Sequence, residues 1–116
     1  MNEQELKQRT RVFANWVADF TETLPQTRQG ARYADQLFRA GTSVGANYRA
    51  ACRGRSKAEF ISKLGIALEE ADETLYWLEL ITDRKVAPVD RTEPLKREAD
   101  ELVSILVASI NTARGG

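Results

Sequence analysis

Between Leu6 and Leu24 the apolar or small residues fall at Leu6, Thr10, Phe13, Val17, Phe20 and Leu24, in steps of 4, 3, 4, 3 and 4. A β-strand cannot hold that spacing on one face, because its side chains alternate with period two. On an α-helix the same residues form one seam of the kind that packs in a left-handed bundle. The pattern recurs in three further segments. It runs through Ala34, Leu37, Gly41, Val44, Tyr48 and Ala51, then Ile61, Leu64, Leu68, Ala71, Leu75 and Leu78, and finally Leu95, Ala99, Leu102, Leu106, Ser109 and Ala113.

The breaks between these segments are chemically marked. Leu24-Pro25 ends the first, since a residue before proline is pushed out of the α region. Gly54 in "RGRS" is expected to cap the second, and Ser56-Lys-Ala-Glu59 is a capping-box pattern that opens the third. Asp90 and Thr92 are N-cap candidates for the fourth, with Pro94 in its first turn. The expected helices are 3–24, 29–53, 56–83 and 92–113, with Gly115 and Gly116 frayed. Four such helices joined by short connections predict an all-α, antiparallel up-down-up-down bundle, left-handed, as one domain over residues 1–116. At 116 residues the chain is large enough for one core and too small for two.

Residue usage removes whole classes of chemistry. There is no histidine and one cysteine, Cys52, so Ser-His and Cys-His dyads and the usual zinc patterns are excluded. Cys52 reads as a small packing residue. The acids Glu69, Glu70 and Glu73 lack the Glu-x-x-His that completes a di-iron bundle site. Gly-Thr-Ser-Val-Gly lies inside a helix and lacks the Lys-Ser/Thr of a phosphate loop. No catalytic residue, metal, cofactor or small-molecule substrate is expected. The charged N-terminus, the lone thiol and the lack of a long apolar run predict a soluble cytoplasmic protein that does not engage membrane.

The stretch "RAGTSVGANYRA" is unusual for a packing helix. Arg39, Ser43 and Asn47 sit at i, i+4 and i+8, with Gly41 and Gly45 between them. Folding the second helix on the third about Gly54 brings Arg39 level with Glu70 and Glu73. These five polar residues predict a register-setting layer, with Arg39 partly buried and its spare donors on backbone carbonyls. Gly41 and Gly45 predict an edge where a neighbouring helix approaches closely.

Net charge is zero, yet charge is segregated. Residues 28–63 hold eight bases against two acids, whereas residues 64–83 hold six acids and no base. Arg49, Arg53, Arg55 and Lys57 lie at the turn end, away from the acidic block. They are candidates for contact with RNA or DNA, or simply complement a helix C-terminus. Val12, Trp16, Phe38, Tyr76 and Trp77 exceed what one bundle face needs and are candidates for an oligomer interface.

The segment "QLFRAGTSVGANYRAACRGRSKAEFISKLGIALEEADETLYWLELI" resembles the bacterial four-helix-bundle family of 23S rRNA intervening-sequence proteins. Gln36, Leu37, Arg39, Ala40, Ser43, Val44 and Asn47 match the pattern of that family's second helix. Phe60, Leu64, Ile66, Ala67 and Glu73 match its third. "RTRVFANWVADF" and the following Leu-Pro also fit, and the resemblance weakens after Asp83. Many members continue Ile-Ala-Glu-Gly after the Asn, where this chain has Tyr48-Arg49-Ala50-Ala51, so a role resting on that Glu does not transfer. The resemblance implies a non-enzymatic bundle that assembles as a ring-like homopentamer. Similar bundles accompany reverse transcriptases, with nucleic acid as partner. The expectation is therefore a homo-oligomeric scaffold or adaptor, with a nucleic-acid-binding accessory protein as the alternative.

Overall fold

The first three helices each begin where a side-chain oxygen takes up a free backbone amide. Asn2 Oδ1 accepts from the Glu5 amide at 2.8 Å, Thr27 Oγ1 from Gly30 at 3.0 Å and Ser56 Oγ from Glu59 at 3.0 Å. The computed structural model describes residues 1–115, in four helices: α1 (Glu3–Thr21), α2 (Arg28–Cys52), α3 (Lys57–Asp83) and α4 (Val89–Gly115). The fraying expected at Gly116 lies outside the described residues, and Gly115 belongs to α4. Consecutive helices pack antiparallel in a body measuring 46 × 20 × 19 Å. α2 packs on α1 and α3, and α3 on α4, whereas α1 and α4 touch only slightly. No described helix is long and apolar enough to cross a membrane.

Several boundaries differ from the sequence expectation, each for a local reason. α1 stops at Thr21, not at 24, because Thr23 Oγ1 bonds the Phe20 carbonyl at 2.7 Å and offers the backbone a turn instead. Leu24 is nonetheless buried outside the helix. Gly54 does not cap α2 in the left-handed conformation, since no glycine has positive φ among the described residues. Its role is space: a methyl there would lie 3.0 Å from the Ala51 carbonyl and 3.2 Å from the Phe60 amide. α3 ends through Lys85, at φ 56, with the Val86 amide reaching back to the Ile81 carbonyl at 2.9 Å. α4 starts at Val89, three residues before the expected 92, because the Pro88 carbonyl accepts from the Arg91 and Thr92 amides. Thr92 is therefore not a cap. It is fully buried inside α4, and the Thr82 hydroxyl of α3 donates to it at 3.0 Å.

The predicted seam of α1 lines the core, and that of α4 does so as far as Leu106, beyond which Ile110 is buried in place of Ser109 and Ala113; the centre of α3 is shifted. Its buried residues are Leu64, Ala67, Ala71, Thr74, Leu78 and Ile81, while Ile61, Leu68 and Leu75 are half-buried flanks. α3 is apolar around most of its circumference, so periodicity does not single out one face. Thr74 enters the core because its hydroxyl bonds the Glu70 carbonyl of its own helix at 2.7 Å. Among the described residues no buried side-chain polar atom lacks a partner.

α1 and α2 approach closely at two glycines. A methyl at Gly41 would come within 2.7 Å of Val17 Cγ1, and one at Gly45 within 3.0 Å of Thr10 Oγ1. Val17 and Thr10 are both fully buried, and Thr10 is held by bonds to the Leu6 and Lys7 carbonyls. Neither side chain can move away freely. Gly41→Ala should therefore destabilise the fold by about 1–3 kcal/mol through overpacking, despite a helix-propensity gain of about 1 kcal/mol. Urea unfolding followed by helical circular dichroism measures this, and an unchanged or raised midpoint would contradict the packing argument.

Candidate functional site

Arg39 crosses from α2 to α3, where its Nη1 lies 3.4 Å from Glu70 Oε2 and its Nη2 donates to Glu73 Oε1. Glu73 also accepts from the Trp77 indole N–H at 3.2 Å. The Arg39 side chain is 52% exposed, so the expectation that it is partly buried is corrected. Its donors go to the two carboxylates and none reaches a backbone carbonyl. The two anions raise its pKa, chiefly through the Glu73 hydrogen bond. Ser43 Oγ donates to the Arg39 carbonyl at 2.6 Å and Asn47 Nδ2 to the Ser43 carbonyl at 2.8 Å. These bonds run along α2 and do not cross to α3. The predicted polar layer is thus one interhelical ion cluster at the surface plus two side chains satisfied by their own helix.

A second ion cluster closes the loosely packed α1/α4 side, and it escaped the sequence analysis. Arg9 grips Glu98 through Nε at 2.7 Å and Nη2 at 2.8 Å, and Nη2 also reaches Glu101 at 3.1 Å. Glu98 is mostly buried, with 18% of its side chain exposed. The Glu98 hydrogen bond is the main cause of a raised Arg9 pKa. The signal was present: Arg9 precedes the seam residue Thr10, and Glu98 precedes Ala99 on the helix that closes the bundle. Charge segregation along the sequence points to pairing between α2 and α3 and carries no sign of a pair between α1 and α4.

The predicted basic corner is split by the structure. Arg49 and Arg53 turn toward α1, where they share a groove of about 610 Å³ with Lys7 and Arg11. Gly45 and Thr10 line the same groove, and no carboxylate does. Lys7 has one acid nearby, Glu3 at 3.5 Å; Arg11, Arg49 and Arg53 form no ion pair among the described residues. Arg55 and Lys57, in the turn and at the start of α3, are exposed but do not line the groove. Lys7 and Arg11 went unpredicted because they belong to a different helix from Arg49 and Arg53.

The interface candidates do not form one patch. Val12 and Trp16 stand three and seven residues after Arg9, on the α1 flank beside α4, and are 56% and 40% exposed. Phe38 is four residues before Thr42, on the flank of α2 that borders α1. Tyr76 is exposed on α3 and its ring centroid lies 5.4 Å from that of Trp77. Trp77 is half-buried, 6.2 Å from Tyr33, and lines a cleft of about 780 Å³ between α2 and α3 with Arg32 and Gln36. Its indole is therefore largely engaged within the chain.

Cys52 is half-buried, and burial pushes its thiol pKa up, which keeps it in the unreactive protonated form. Glu70 and Glu73 face Arg39, and no cluster of three potential metal ligands occurs among the described residues. The two arginines differ in exposure, and their bonds to a mostly buried carboxylate differ in length, which gives a direct comparison. Arg9→Ala should lower stability by about 1.5 kcal/mol, since it leaves a mostly buried carboxylate unpaired. Arg39→Ala should cost less, because Arg39 is 52% exposed against 27% for Arg9, and its contact with the similarly buried Glu70 is long, 3.4 Å against 2.7 Å for Arg9 with Glu98. Equal losses in the two variants would contradict the assignment.

The family model for the 23S rRNA-intervening sequence protein matches residues 2–108. The match continues through most of α4, beyond the point where the recognisable motifs end. The fold is also similar to the crystal structure of a protein with unknown function from the S23 ribosomal protein family of Bacteroides thetaiotaomicron. That likeness has a TM-score of 0.84 and 35% identity, covering 90% of this chain and 96% of the other. No curated protein matches the chain. With motifs, fold and near-complete coverage in agreement, the chain belongs to the 23S rRNA-intervening sequence protein family.

Proposed function

We propose that this protein is a homo-oligomeric helical-bundle scaffold or adaptor that performs no chemistry of its own and works in the cytoplasm as a pentamer. The observation that carries this reading is the surplus of exposed apolar side chains around an already complete core. Val12, Trp16, Phe38, Ile66 and Tyr76 are each at least 36% exposed on three different helices. The five-fold ring is the assembly implied by the family resemblance. The lack of histidine and a half-buried thiol held protonated support a non-catalytic role.

Sedimentation at micromolar concentration tests the assembly. The expected result is one species of five times the 13.0 kDa chain mass. A monomer throughout would overturn the proposal.

A second reading, a nucleic-acid-binding accessory protein, is favoured by the groove that joins Arg49 and Arg53 to Lys7 and Arg11 without a carboxylate. Bases at i and i+4 on each wall are about 6 Å apart along the helix, comparable to the separation of successive phosphates on an extended strand. Gel shifts with structured RNA and with DNA over a salt series test it. Binding should weaken steeply with salt, and replacing Arg49, Arg53, Arg55 and Lys57 by Gln should weaken it further. Unchanged affinity in that variant defeats the reading.

A further inference from the structure

α3 carries a second seam, and it faces outward. Gly65, Glu69, Asp72, Tyr76, Glu79 and Asp83 follow one another in steps of 4, 3, 4, 3 and 4, the spacing of a packed helix face. From Glu69 onward all are exposed. The four carboxylates make no ion pair among the described residues, because the base that reaches the acidic block, Arg39, is bound to Glu70 and Glu73 on the flank.

Gly65 sharpens the point. A glycine within a helix weakens it, and Gly41, Gly45 and Gly54 are each explained by an atom a methyl would strike. At Gly65 nothing lies within 4 Å of a methyl group. Packing inside one chain gives no reason for this glycine. It sits at the head of the stripe, and Tyr76 and Ile66 supply exposed apolar surface beside it.

The opposite charge is displayed elsewhere on the same chain. The α1/α2 groove sets four bases, Lys7, Arg11, Arg49 and Arg53, in a lining without acids. Phe38, 48% exposed, borders the same pair of helices further along. We infer that the outer stripe of α3 in one copy seats on the α1/α2 groove of a second copy. Carboxylates of the stripe then meet the groove bases, and Tyr76 adds apolar contact. The unpaired carboxylates of α3 and the groove bases Arg11, Arg49 and Arg53, none of which has an ion-pair partner among the described residues, thereby find partners between chains.

The two surfaces are different, so the contact is head-to-tail. Such contacts repeat from copy to copy and close into a ring when the rotation allows, whereas a two-fold dimer would pair like with like. The inference rests on the oligomeric reading and adds to it which faces meet.

Charge reversal on each side tests the pairing. One variant carries Glu69→Lys, Asp72→Lys and Glu79→Lys; another carries Arg11→Glu, Arg49→Glu and Arg53→Glu; a third carries all six. All these positions are exposed, and circular dichroism verifies that each variant is folded. Sedimentation should show at least tenfold weaker association in each three-site variant and recovered assembly in the six-site variant. Gly65→Trp, at a site with open space within the chain, should fold normally and block assembly, which gives a probe free of charge effects. A wild-type oligomer that survives both three-site reversals places the interface elsewhere and overturns this inference while leaving the oligomeric reading standing. A monomeric wild type overturns both. A six-site variant that stays dissociated, or a two-fold dimer as the wild-type species, also overturns the pairing. So does a groove reversal that leaves assembly intact and abolishes a shift of single-stranded RNA, which would assign the groove to nucleic acid.

Discussion

The close contact between α1 and α2 at Gly41 and Gly45 is the constraint on which the other surfaces depend. Val17 and Thr10 occupy the space that two missing methyl groups leave open. The backbones can approach only because Thr10, a polar residue in the core, bonds the carbonyls of its own helix. With α1 held this near, Lys7 and Arg11 come alongside Arg49 and Arg53, and bases separated by some forty residues of chain line one groove. Larger residues at 41 and 45 would push the helices apart and disperse that charge.

Helix α1 depends on α2 for most of its packing, and its other side is held differently. Toward α4 the contact is slight, and the Arg9–Glu98–Glu101 cluster spans it. A bidentate pair to a mostly buried carboxylate is geometrically demanding, so it can fix the position of α1 where few apolar contacts do. Arg39 makes the corresponding link between α2 and α3 in a more exposed setting. Each pair thus joins elements that a different kind of contact already brings near, and the pair's exposure governs how much it contributes.

Much of this arrangement was legible in the residues. The seam of α1, that of α4 as far as Leu106, the cap at Ser56 and the pairing of Arg39 with Glu70 and Glu73 follow from spacing and charge alone. The stripe of α3 was half-legible: Leu64, Ala71 and Leu78 belong to the core, but Ala67 and Thr74 are buried in place of Leu68 and Leu75, and Ile81 extends the stripe. An apolar run such as "LYWLELI" covers most of a helix circumference, so it gives no phase to periodicity. Thr92 was misassigned as a cap because a threonine beside a proline-rich turn resembles one, and its bond to Thr82 depends on how α4 lies against α3.

By itself the sequence determined that the chain forms four amphipathic helices, that it lacks the residues for common catalytic and metal sites, and which family it resembles. These are properties of single helices and of residue inventory, and spacing along one chain encodes them directly. Tertiary structure alone decided that Arg39 is exposed, that Lys7 and Arg11 join Arg49 and Arg53, and that the candidate interface residues occupy separate faces. Those outcomes depend on the distance and rotation between packed helices. That geometry is set by side-chain volumes at contacts such as Gly41 with Val17, which no single helix contains.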